Sequence, residues 1–166
     1  RLRLAREHAE HEALTEKRRA HMQHVQNVVL LSLGALAELR DHATGRHVRR
    51  TQAYVRVLAE WLVENGEGEH AIEPVSAEFV TRAAPLHDIG KVGIPDAILR
   101  KPTSLTSDEF EIMKTHCHIG AGALTEAMEA AGILGDVETG TTAYRFLHVT
   151  RDVARHHHER WDGSGY

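Results

Sequence analysis

The order of apolar and polar positions makes this chain a succession of helices. From Arg1 to about Ala20 the residues are Ala, Glu, Arg and His with few large apolar side chains, which suits a solvated helix or a linker better than a core element. Met22, Val25, Val29, Ser32, Leu36 and Leu39 then fall at alternating steps of three and four, along one seam of a helix. Two partners are open to that seam: a second copy of the chain, or, for residues 30–40, the rest of its own domain. Val48, Tyr54, Val55, Leu58 and Leu62 carry the periodicity into a second helix over 47–64, which Asn65-Gly66-Glu67-Gly68 ends.

A loop through Pro74 leads to Ser76, which can cap a helix holding Phe79, Val80, Ala83, Ala84 and Leu86 and delivering His87 and Asp88 at its end. Pro95 and Pro102 mark an irregular segment. Thr106-Ser107-Asp108-Glu109 has the form of a helix start ahead of Phe110, Ile112 and Met113, with His116 following on the same helix. Gly132 to Thr142 is turn-rich, and a last helix from Tyr144 to about His158 carries consecutive His residues. No segment keeps a strand period over more than a few positions, so the expected class is all-α.

Composition narrows the function classes. At 166 residues with 42% apolar side chains there is room for one domain with a modest core, and disorder is excluded. A net charge of −4 leaves no diffuse basic surface for DNA, so an anionic substrate needs local cations or metal. The single Cys, Cys117, excludes an internal disulfide framework and suits a reducing cytoplasm. No apolar run is long enough to span a bilayer, and no signal-peptide pattern is present.

Fourteen His residues are many for this length, and their positions carry the chemistry. In His87-Asp88 the imidazole offers one neutral nitrogen and the carboxylate two oxygens, so the Asp can bridge two cations while the His terminates one. Consecutive helical residues point about 100° apart, so both reach one site only near a helix end or across a pocket corner. Lys91, four residues after His87, shares its face if the helix continues, although Gly90 loosens that continuation.

His87-Asp88-Ile89-Gly90-Lys91, then Val92-Gly93-Ile94-Pro95-Asp96, and finally His157-His158-Glu159-Arg160-Trp161-Asp162-Gly163-Ser164-Gly165-Tyr166 occur in one order along the chain. Together they resemble the HD-GYP family, a branch of the HD phosphohydrolases, from about Leu36 to the end. The resemblance implies an HD-domain helical bundle over 36–166, continuing past Tyr166 with Pro and further helices. Residues 1–35 are then an N-terminal linker or coiled-coil helix, leading from an upstream receiver or sensor domain.

The same resemblance implies a ligand set of His47, His87, Asp88, His116, His157 and His158 around two divalent metal ions, iron or manganese by family preference, with nickel or zinc compatible with N/O ligation. Asp88 bridges the ions in this scheme, and Lys91 sits beside the phosphate. Family members hydrolyse cyclic di-GMP to the linear pGpG and sometimes on to GMP. Asp162, Gly163, Gly165 and Tyr166 fall in a loop that borders the active site and also contacts partners, including diguanylate cyclase-type domains. Many members carry a Glu four residues before the first His; here that position is Ala43, which has no ligand atom, and Asp41 is on another face, so two ions rather than three are expected. A further Asp ligand of the family comes from beyond Tyr166. Two other readings stand beside this one: an HD hydrolase of another nucleotide, such as pGpG or a mixed cyclic dinucleotide, and a weakly catalytic sensor or docking domain.

The other His residues are not expected to bind metal. His8, His11, His21 and His24 belong to the polar N-terminal helix; His42, His70 and His118 match nothing in the pattern; His148 is a packing or surface residue and His156 an exposed bystander. Cys117 is expected in the core.

Overall fold

The computed structural model describes residues 2–40, 46–67, 72–133 and 142–166. Its helices are α1 (Leu2–Leu39), α2 (Arg46–Asn65), α3 (Pro74–Ala83), α4 (Asp96–Leu99), α5 (Ser107–Lys114), α6 (His116–Ala130) and α7 (Thr142–His156). Two 3₁₀ turns, Ala84–Leu86 and Ile89–Gly93, lie between α3 and α4. No strand occurs among the described residues, and the fold is the expected all-α bundle behind a long N-terminal helix. Ala43, Asp41, His42 and His70 lie outside the described residues, as does most of the turn-rich stretch before α7.

Several boundaries differ from the sequence reading, each for a local reason. Ser76 is not the cap of α3: Glu73 is, in extended conformation, because Pro74 presets the backbone angle of a first helical residue. The helix then stops at Ala83 and tightens into the 3₁₀ turn containing Pro85, so His87 and Asp88 sit on a turn between two 3₁₀ segments and not at an α-helix end. His116 is not on the helix that Thr106 starts. Thr106 and Glu109 do form a reciprocal capping box, but that helix ends at Lys114, where Thr115 bonds back to the Ile112 carbonyl through both N–H and Oγ1–H, and His116 opens α6. The last helix ends at His156, leaving His157 and His158 in the turn beyond it.

The core gathers where α2, α3, α6 and α7 surround the two 3₁₀ turns, with Val48, Phe79, Leu86, Ile94, Met128 and Ala154 buried. Arg82 links three elements: its guanidinium donates to Asn27 and Gln26 of α1 and lies 4.7 Å from the centre of the Phe146 ring on α7. Glycine sets the closest approaches. A Cβ on Gly34 of α1 would lie 2.2 Å from the Pro85 carbonyl oxygen, and one on Gly90 would lie 1.9 Å from the His116 carbonyl oxygen. Both are backbone-to-backbone crossings that any side chain would force apart.

With 38 residues, α1 extends about 57 Å. It runs unbroken through residue 35, and its two faces differ. Gly34, Ala37 and Glu38 are buried against the bundle, whereas Met22, Val25, Val29, Leu36 and Leu39 are exposed. The face of residues 30–40 that packs on its own domain is therefore not the three-and-four seam, which stays open along its length. At the end of α1 the Arg40 guanidinium donates to the carbonyls of Val92 and Ile94 and to Asp96 Oδ1. No helix among the described residues is long and apolar enough to cross a membrane.

Candidate metal centre

Three imidazoles are fixed in the same way. The Nδ1–H of His87 donates to the Ala84 carbonyl at 2.8 Å, that of His116 to Met113 at 2.7 Å and that of His157 to Ala154 at 3.2 Å. A carbonyl can only accept, so in the neutral ring each Nε2 keeps its lone pair. All three Nε2 atoms turn to one carboxylate. His87 Nε2 is 3.1 Å from Asp88 Oδ2, while His116 and His157 Nε2 are 3.4 and 3.5 Å from Asp88 Oδ1.

That arrangement is poorly satisfied by the protein alone. Asp88 Oδ1 is buried and makes no hydrogen bond of acceptable geometry, and the Nε2 atoms of His116 and His157 face each other at 3.2 Å. Two lone pairs at that distance repel unless a proton or a cation lies between them. Burial by itself would push the Asp88 carboxyl up, but the three imidazoles turned to it outweigh burial and hold the group well below the usual carboxylate range. Asp88 is an anion, and the surrounding donors are those that bind divalent cations.

The donor atoms form two groups that meet at Asp88. His47, His87 and Asp88 place one ligand atom each within 4.8 Å of one another, and so do His116, Cys117, His157 and His158. All six ligand residues read from the sequence are thus brought together, drawn from the start of α2, the turn after Leu86, the start of α6 and the turn after α7. The residues fit a pair of metal ions. Lys91 is also at the site, its Nζ 2.9 Å from Asp88 Oδ2.

Cys117 is buried as expected, yet its sulfur lies 3.5 Å from His116 Nε2, because the new start of α6 turns both residues inward. Burial, with Asp88 nearby, pushes its thiol up, which keeps it protonated. For His158, burial and then the neighbouring His157 and His116 lower the imidazole to about 4, leaving it neutral and able to act as a ligand. His8, His11, His21, His24, His118 and His156 are exposed, and His148 packs on Tyr144 with ring centres 4.1 Å apart.

The final loop folds back over the second group. Glu159 Oε1 accepts the N–H groups of Arg160 and Gly165, both at 2.8 Å, Asp162 Oδ1 accepts that of Ser164, and Gly163 takes the left-handed conformation with φ of 73°. The result stacks Tyr166 on His158, ring centres 4.5 Å apart, and frames a cleft of about 460 Å³ lined by Phe110, Lys114, His158, Arg160 and Tyr166. Asp162 and Gly163 shape this loop; Tyr166 is the member that reaches the centre.

Two features here escaped the sequence reading. Glu38, which the sequence reading does not single out, is buried 3.9 Å from His47, and Arg40 braces the segment after Lys91. The available signal for Glu38 was its place next to Ala37 and four residues after Gly34, the small residues that let α1 approach the bundle.

Comparison with known proteins agrees with this geometry. The HD domain model matches residues 44–165. A cyclic di-GMP phosphodiesterase of Vibrio cholerae serotype O1 is 45% identical over 140 residues, 84% of this chain and 26% of that protein. One from Thermotoga maritima is 41% identical over 138 residues, 83% of this chain and 31% of that protein. A 3'3'-cGAMP-specific phosphodiesterase 2 of Vibrio cholerae is 33% identical over 138 residues, 83% of this chain and 22% of that protein. The chain thus spans about a quarter to a third of the curated relatives it matches. With the HD pair, the converging imidazoles and these matches in hand, the chain belongs to the HD-domain family, in its HD-GYP branch.

Proposed function

We propose that this chain is the hydrolytic domain of a metal-dependent phosphodiesterase that opens cyclic di-GMP to pGpG or GMP, as the output of a cytoplasmic signalling protein. The observation that carries this reading is the convergence of three fixed imidazole lone pairs on one buried carboxylate. His47, His87 and Asp88 would hold one divalent ion, and Asp88 with His116, His157 and His158 the other, iron or manganese being favoured over nickel or zinc. Bound ions supply an activated water and charge neutralisation at a phosphodiester. Lys91, now paired with Asp88, is placed to exchange that contact for the phosphate oxygens on which charge grows. Tyr166 and Lys114 face the adjoining cleft, where a base can stack and a phosphate can find a cation.

The test is to measure metal content and hydrolysis together, on protein purified without oxygen and supplied with iron or manganese. About two ions per chain with pGpG or GMP appearing is the expected result. Including 3'3'-cGAMP in the substrate panel checks the second reading, which the 33% identical relative of that name favours. Bound metal with no turnover of any cyclic dinucleotide would instead assign a sensor or docking role.

Residues 1–35 act in this proposal as the transmitter from an upstream receiver or sensor domain, and the loop 162–166 as a contact for diguanylate cyclase-type partners. The exposed Met22, Val25, Val29, Leu36 and Leu39 would pair with the same seam of a second copy, as in a coiled coil. Light scattering is expected to give a dimer mass that reverts to monomer in Val25→Glu/Val29→Glu; a monomeric parent at high concentration would remove this part of the proposal.

A further inference from the structure

One buried charge has no role in the readings above. Glu38 is 4% exposed, and neither carboxylate oxygen has a hydrogen-bond partner among the described residues. A buried carboxylate left in that state is strongly unfavourable. The candidate partner is His47, whose Nε2 lies 3.9 Å from Glu38 Oε1. His47 also differs in exposure from three of the other proposed ligands. The His87, His116 and His157 side chains are 14%, 1% and 13% exposed, whereas that of His47 is 45% exposed.

We propose that Glu38 is the positioning residue for His47. Its carboxylate accepts one ring N–H of His47, closing the present gap by about 1 Å to hydrogen-bond distance, and leaves the other nitrogen for the cation shared with His87 and Asp88. Ligating imidazoles are commonly held in this way by a carboxylate, which fixes the tautomer and raises the basicity of the ligating nitrogen. The role falls to α1, outside the residues that the HD domain model matches, so the helix completes a site that the bundle alone leaves with one loose ligand. The inference rests on the metal-centre reading.

The test is Mn²⁺ affinity, measured by chelator competition, in the parent chain, Glu38→Gln, His47→Ala and the double variant. Glu38→Gln is expected to weaken Mn²⁺ binding roughly 10- to 100-fold, to leave the metal-free protein at least as stable, since an unpaired buried charge is removed, and to have no further effect once His47 is Ala. Parent-like affinity in Glu38→Gln overturns the proposal. So does a lowered thermal midpoint of the metal-free form with affinity unchanged, which assigns Glu38 to the fold alone. If the parent chain binds no Mn²⁺, nor iron under the same conditions, the metal-centre reading itself falls and this inference with it.

Discussion

Asp88→Ala is expected to abolish both metal occupancy and hydrolysis of cyclic di-GMP. Among the described residues the carboxylate is the one group that faces both donor sets, with Oδ2 toward His87 and Oδ1 toward His116 and His157. Without it each set keeps its imidazoles but loses the anion that offsets the charge of the ions. Changes in residues that merely hold ligands typically cost 10- to 100-fold in affinity or activity, so loss of a carboxylate proposed to serve both ions should exceed roughly 100-fold. Asp88→Asn separates this from misfolding. The amide keeps the shape and can donate to the facing Nε2 atoms, so the variant should fold, as judged by circular dichroism, yet hold no metal in elemental analysis. Normal turnover in either variant would defeat the proposed mechanism.

Gly90→Ala is expected to destabilise the fold and disrupt the site together. The added methyl would stand 1.9 Å from the His116 carbonyl oxygen and 2.5 Å from the Gly120 nitrogen, both backbone atoms that cannot rotate out of the way. Overpacking where side chains can adjust costs about 1 to 3 kcal/mol; here the 3₁₀ turn that follows Asp88 and the helix carrying His116 must separate, so a loss of about 3 kcal/mol or more is expected in urea denaturation. Gly122→Ala provides the contrast. It lies in the same helix α6, where an added methyl group would meet nothing within 4 Å, and replacing an exposed helical Gly should stabilise by about 0.5 to 1 kcal/mol. Equal effects at the two positions would show that the crossing is not the constraint.

The helices are legible in the sequence because their apolar residues repeat with helical period, and the six proposed ligands because their His and Asp motifs stand in the order that the family resemblance rests on. What is not legible depends on contacts between distant segments or on local backbone bonds that periodicity does not show. The break at Thr115 comes from that residue bonding back to Ile112, and the stop at Ala83 from the 3₁₀ turn that Pro85 enters, so apolar spacing alone runs both helices on. Burial of Glu38 depends on which face of α1 meets the bundle. The strongest pattern on that helix, from Met22 to Leu39, marks the face that does not.

The seating of α1 also limits how the helix can move against the site. Gly34 touches Pro85, two residues before His87, and Arg40 holds the carbonyls of Val92 and Ile94, just after Lys91. One rigid rod therefore grips the His87–Lys91 segment at both ends. The crossing at Gly34 has no room for even one added methyl group, so a shift of α1 must either carry the segment with it or let go of it. Among the described residues α1 has no break from Leu2 to Leu39, so a displacement of its far end meets no bend in the helix before these two contacts.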